Sequence, residues 1–207
     1  VRRANKGKSK LISLEAARKN KPSIKFNNIT KPKKLGIQVF KDYDLNEIFK
    51  FIDWAPFFRT WELAGKFPDI LTDEIVGESA SALFEDAKAM FKKVIDERLL
   101  QANAVVGIFP ANSINEDIEL SDENGEVFMT LNHLRQQLDK KGNTPNFCLS
   151  DFIAPKESGV QDYMGAFAVT AGINIEPLVA AFEADHDDYN SIMIKAVADR
   201  FAEAFTE

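Results

Sequence analysis

The longest periodic pattern places Ile75, Leu83, Ala87, Phe91, Val94, Ile95 and Leu99 at helical spacing with charges between them, predicting an amphipathic helix from 73 or 74 to about 100. Residues 104–110 are apolar throughout and end at Pro110, which predicts a central strand. Two alternating runs, 117–121 and 126–131, are joined across Asn124-Gly125, a short-range hairpin signal. Residues 147–153 and 162–170 predict two more strands, and 176–184 and 188–207 predict closing helices. Nearer the start, 36–40 predicts a strand. Residues 44–51 predict a helix with Asp44 as cap and Glu47 at capping-box spacing. Before them, 14–18 predicts a helical turn capped by Ser13. Pro22 and Pro32 then break the segment into an extended strap that Ile24, Phe26 and Ile29 would pin in alternation. Residues 1 to about 10 lack apolar periodicity and are expected to be disordered. The order predicts an α+β domain: an antiparallel β-sheet flanked by helices, with a long amphipathic helix near the start and helices at the C-terminal end.

Between Phe51 and Leu71 the pattern changes. Both tryptophans, Trp54 and Trp61, and four of the seventeen phenylalanines crowd into this stretch, so most of it must be buried. Pro56 suits the first turn of a helix, which puts Asp53 at or just before a helix start. There a carboxylate either caps free backbone N–H groups or faces a pocket and accepts from a ligand cation or hydroxyl. In the final helix Tyr189, Ile192, Met193, Ala196, Val197 and Phe201 mark an apolar face. Asp199 and Glu203 stack four residues apart on one side, and like charges at that spacing repel. Either Arg200 and solvent relieve the repulsion, or a bound cation does.

Composition narrows the class. Hydrophobic residues at 45% and charged residues at 28% describe an ordinary globular chain, and 207 residues suffice for a core without covalent staples. No apolar run approaches membrane-spanning length and no leader pattern occurs, so neither a membrane partner nor a signal peptide is expected. The single Cys148, between Phe147 and Leu149, reads as a core residue; with no disulfide possible within the chain, the expected location is cytoplasmic. His133 and His186 are too few and too differently placed for a metal site, and His186 reads as a structural group between two helices. The net charge of −6 hides an asymmetry: residues 1–41 hold 13 Lys and Arg against one acid, while 42–207 hold 13 against 31. The basic arm has few aromatics and no nucleic-acid motif, so it reads as a solvated linker that can also lie on the acidic body, with no nucleic acid as partner.

Several long stretches resemble one known family, in one order: Asp53-Trp54-x-Pro56-Phe57-Phe58-x-x-Trp61-x-Leu63-Ala64-Gly65-Lys66, 105–112 (VVGIFPAN), 133–137 (HLRQQ), 162–170 (DYMGAFAVT), 183–190 (EADHDDYN) and 198–205 (ADRFAEAF). They resemble the activation domain of cobalamin-dependent methionine synthase. The resemblance implies residues 1–34 as a basic strap from a preceding cobalamin module and 35–207 as a partial activation domain. It further implies a module of a methyltransferase (5-methyltetrahydrofolate–homocysteine methyltransferase) that binds S-adenosylmethionine and remethylates cob(II)alamin, an electron coming from a flavodoxin or flavoprotein reductase. Cobalamin would be bound by the neighbouring module, and zinc only in a homocysteine module that this chain lacks. Asp53 and Glu203 match the family's S-adenosylmethionine-binding acids, and Asp199 matches an acid used against the cobalamin module.

One departure stands out: the family's Arg-x-x-x-Gly-Tyr-Pro motif, which receives the ligand carboxylate, does not occur in the chain. The resemblance therefore implies a domain truncated at its C-terminus, without turnover in isolation. Other readings left open are a non-catalytic S-adenosylmethionine sensor and a reductase-docking module.

Overall fold

The computed structural model describes residues 10–207. The disorder expected over residues 1 to about 10 thus falls, apart from Lys10, outside the described residues. The elements run α1 (Leu14–Lys19), β1 (Gly36–Phe40), α2 (Leu45–Phe49), α3 (Trp54–Thr60), α4 (Gly77–Asp96), β2 (Gln101–Ile114), β3 (Asp117–Ser121), β4 (Val127–Leu131), β5 (Asp162–Ile173), α5 (Ile175–Ala184) and α6 (Asp188–Ala204), with short 3-10 turns between some of them. The class is α+β, as the order of patterns predicts. The sheet runs β1-β2-β3-β4, with β5 also paired to β2. The chain divides into two compact units, one formed by residues up to Ile37 with Val106–Ala166, the other by Gln38–Val105 with Phe167–Glu207; β1, β2 and β5 contribute to both.

In the second unit the core is helical. Leu83, Ala87, Phe91 and Val94, spaced to fall on one stripe of α4, are all buried, as are Phe57 and Phe58 of α3 and Met193, Ile194, Val197 and Phe201 of α6. Phe91 meets Phe201 edge-on with ring centroids 4.9 Å apart and Trp54 at 5.4 Å, so α3, α4 and α6 share one aromatic contact zone. Two expectations shift here. Ile75 lies before α4 and is 91% exposed, because Asp73 accepts from the Ile75 and Val76 N–H groups and turns the chain before the helix begins. Glu47 forms no capping box: Asp44 caps α2 by accepting from Asn46, while Glu47 pairs with Lys50 at 2.7 Å.

In the first unit β2, β3 and β4 form an antiparallel meander, with Ile118 opposite Leu131 and a bulge between Leu120 and Ser121. The Asn124-Gly125 hairpin is where the sequence puts it, Gly125 taking φ +85°. The strand expected at 147–153 is instead a 3-10 turn over Leu149–Phe152. Asp151 is the reason: its carboxylate accepts from the Cys148 N–H at 2.8 Å and curls the backbone. The same carboxylate takes a two-pronged contact from Arg135 at 2.8 and 2.7 Å. Arg135 is buried, and its remaining donors reach the Asn146 carbonyl at 2.8 Å and Glu116 at 2.9 Å. A buried guanidinium is tolerable only when so fully partnered. Cys148 is a buried core thiol, as expected.

Glu116 also accepts from Arg18, and this bond, ahead of that from Arg135, holds its carboxyl at about 2, below the ordinary 4.5, against the opposing effect of burial. A depressed carboxyl contributes stability that is present above its unfolded value and fades as pH falls toward the folded one. Glu116→Gln should therefore be less stable than the parent at pH 7, and the gap between their urea midpoints should close between pH 4.5 and about 2. A gap independent of pH across that window would contradict the ionic origin.

Candidate functional site

The site starts from how α3 begins. Asp53, with extended φ and ψ, is its N-cap, and the carboxylate accepts from the Ala55 N–H at 3.0 Å. Pro56 sits in the first turn, where its missing N–H costs nothing. Burial of Phe57 and Phe58 then fixes the roll of the helix and leaves Asp53 exposed, with its second oxygen, Oδ2, unpartnered among the described residues. The capping reading of Asp53 is thus realised, and it leaves one acceptor oxygen for a ligand.

The end of α6 supplies the other acids. Asp187 caps this helix by accepting from the Asn190 N–H at 3.0 Å, and His186, exposed, takes φ +55° in the turn before it. The apolar face differs from the sequence expectation. Ile192 and Tyr189 are exposed, whereas Ile194 and Arg200 are buried. The stripe is rotated because Met193, Ile194, Val197 and Phe201 dominate its contact with the core. Tyr189 lies over Trp61 with centroids 5.0 Å apart and donates to Asp86 at 2.7 Å; burial first, and that carboxylate second, push its hydroxyl up to about 12.

Arg200 is the residue whose importance the periodicity understated. Its side chain is 7% exposed, yet its guanidinium donates outward to Asp199 Oδ2 at 2.6 Å and Glu203 Oε2 at 2.5 Å, whose side chains are 68% and 60% exposed. Burial works against the charged form of Arg200, but the hydrogen bonds and charges of the two acids outweigh it and raise its pKa above the ordinary value. One cation beneath two carboxylates leaves one negative charge in excess. It also leaves Asp199 Oδ1 and Glu203 Oε1 without protein partners among the described residues. Sequence reasoning had the signal in hand, since Arg200 sits one residue after Asp199 and three before Glu203.

The structure therefore brings Asp199 and Glu203 together through Arg200. Asp53 stands on α3, which packs against α6, and no side chain bridges it to the pair among the described residues. Free carboxylate oxygens held in place on rigid helices suit ammonium, sulfonium and hydroxyl groups. No group of three or more His, Cys, Asp or Glu that could hold a metal occurs among the described residues, nor does a helix long and apolar enough to cross a membrane.

A separable capping role makes a prediction about stability alone. Asp53→Ala should cost about 1 kcal/mol and Asp53→Asn only a few tenths, because asparagine caps as well as aspartate does. Urea unfolding of the two variants checks this. Equal losses would mean that the charge, and not the cap, stabilises α3.

The family model described as "Vitamin B12 dependent methionine synthase, activation domain" matches residues 44–207. Among solved structures, the chain is similar to one described as "Crystal Structure of the MetH Reactivation Domain bound to AdoHcy", with 48% sequence identity and a TM-score of 0.90. The match covers 95% of this chain and 61% of that one, so the chain spans less than two thirds of its neighbour's length.

Proposed function

Because this chain belongs to the family of vitamin B12-dependent methionine synthase activation domains, we propose that it serves the reductive reactivation of that methyltransferase by binding S-adenosylmethionine. The observation that carries the reading is the 48%-identical neighbour with AdoHcy bound. AdoHcy is what S-adenosylmethionine becomes on giving up its methyl group. In this reading Asp53 and Glu203 hold the ligand through its ammonium, sulfonium or ribose hydroxyls, and Asp199 faces a cobalamin-binding module of the same polypeptide. A flavodoxin or flavoprotein reductase supplies the electron that accompanies methyl transfer to cob(II)alamin. The redox and methyl chemistry belong to cofactor and ligand; this chain binds and orients. Arg200 holds one oxygen of Glu203 and so aims the other. Asp53 is aimed in the same way by the Ala55 N–H. The reading places the protein in the cytoplasm, as one module of the enzyme and without turnover in isolation.

In this reading an Arg-x-x-x-Gly-Tyr-Pro segment, which does not occur within the 207 residues, would supply the partner for the ligand carboxylate. One charge-assisted contact is worth about 1.5–3 kcal/mol, roughly ten- to a hundredfold in affinity. Calorimetric titration of S-adenosylmethionine should therefore show weak or no binding to this chain and clear binding to one carrying that segment after Glu207. Asp53→Asn in the longer chain should weaken binding about ten- to a hundredfold while leaving stability nearly unchanged. A folded longer chain that binds no S-adenosylmethionine would remove the ligand assignment and favour a reductase-docking module.

A further inference from the structure

The basic arm, read from composition as a solvated linker, is bonded in detail over residues 10–20. Ile12 donates its N–H to the Gln137 carbonyl at 2.9 Å, and the Gln137 side-chain amide donates back to the Ile12 carbonyl at 2.9 Å. Asp139 N–H donates to the Lys10 carbonyl at 2.8 Å, and Asn146 N–H to the Asn20 carbonyl at 2.9 Å. The Asn20 amide reaches Asn146 Oδ1 at 2.7 Å and the Thr144 carbonyl at 3.1 Å. Between these two ends α1 buries Ala17 completely, and Arg18 engages both oxygens of Glu116. Glu116 is itself held by the buried Arg135. Residues 22–35 contrast sharply with this. They make no hydrogen bond among the described residues, run past a hollow lined by Ser113, Asn115 and Ser150, and leave Ile24 exposed, with Phe26 and Ile29 only half-buried.

We propose that residues 10–20 are a strap latched onto the first unit through Arg18–Glu116–Arg135 and the 136–146 loop, a fixed mount for the polypeptide ahead of Lys10, and that the compliant joint of the arm lies at 22–35. The mount is releasable. Among the described residues the half-exposed Arg18 reaches only Glu116, whereas Glu116 stays bonded to Arg135 when Arg18 lets go. Breaking the ion pair therefore loosens the strap, which then hangs on its backbone bonds to the 136–146 loop, and leaves the buried centre intact. The mount stands whether or not the chain binds S-adenosylmethionine. Under the methionine synthase reading, an upstream module would be carried by the first unit and would move when the latch opens.

Amide hydrogen exchange on the whole chain tests this. The Ile12, Asp139 and Asn146 amides should be protected, and those of Ser23, Lys25 and Lys31 should exchange at near-unfolded rates. Arg18→Gln and Glu116→Gln should each speed exchange at Ile12, Asp139 and Asn146 at least about tenfold, the equivalent of one charge-assisted contact. Gln136, whose N–H donates to the Phe147 carbonyl, should stay protected and so report that the unit remains folded. Ile12 exchanging as fast as Lys25 in the parent chain would overturn the proposal. So would unchanged protection at Ile12 in both variants.

Discussion

The second unit depends on a conflict that α6 must resolve. Met193, Ile194, Val197 and Phe201 have to reach the aromatic zone around Phe91, which fixes the roll of the helix and draws Arg200 down with them. An unpaired guanidinium there would be costly. Asp199 and Glu203 remove that cost from the solvent side, and in doing so they become two exposed carboxylates that are not free to wander. Core packing thus determines where acceptor oxygens stand at the surface. α3 works by the same logic on a smaller scale: Phe57 and Phe58 anchor it, and Asp53 is held at its start by a backbone N–H.

The first unit meets its buried cation differently. Arg135 directs all three guanidinium nitrogens inside the protein, to Asp151, Glu116 and the Asn146 carbonyl, and the backbone around it bends to allow this. The result is a structural centre, whereas Arg200 supports acids that keep free oxygens. Both are buried arginines with two acidic partners; exposure of the acids separates scaffold from candidate site. Glu116 is 12% exposed and Glu203 60%.

Much of this was legible in the sequence because local rules and packing agree. The hairpin at Asn124-Gly125, the caps at Ser13, Asp44 and Asp53 and the buried stripe from Leu83 to Val94 all follow from side chains acting on their own backbone or on one helical face. What stayed hidden depends on partners far along the chain. Residues 147–153 read as a strand by composition, but Asp151 serves Arg135 and curls the segment. The arm read as a solvated linker that can also lie on the acidic body, but which acid would hold it stayed hidden, because the carboxylate that holds Arg18 is 98 positions away. The rotation of α6 was hidden for a third reason, since helical spacing alone cannot choose between Ile192 and Ile194. Helical spacing singled out Asp199 and Glu203 with Arg200 between them, and resemblance gave the acids a ligand role; what only geometry supplies is that Arg200 is buried beneath both.

The central claim is that Asp53 and Glu203, each aimed by a fixed donor, hold one cationic ligand. A crystal structure of the chain carrying the Arg-x-x-x-Gly-Tyr-Pro segment, with S-adenosylmethionine bound, tests it most directly. The account predicts both carboxylates within hydrogen-bonding distance of the ligand's ammonium or hydroxyl groups, with Glu203 still bonded to Arg200. A ligand seated away from both acids would contradict it.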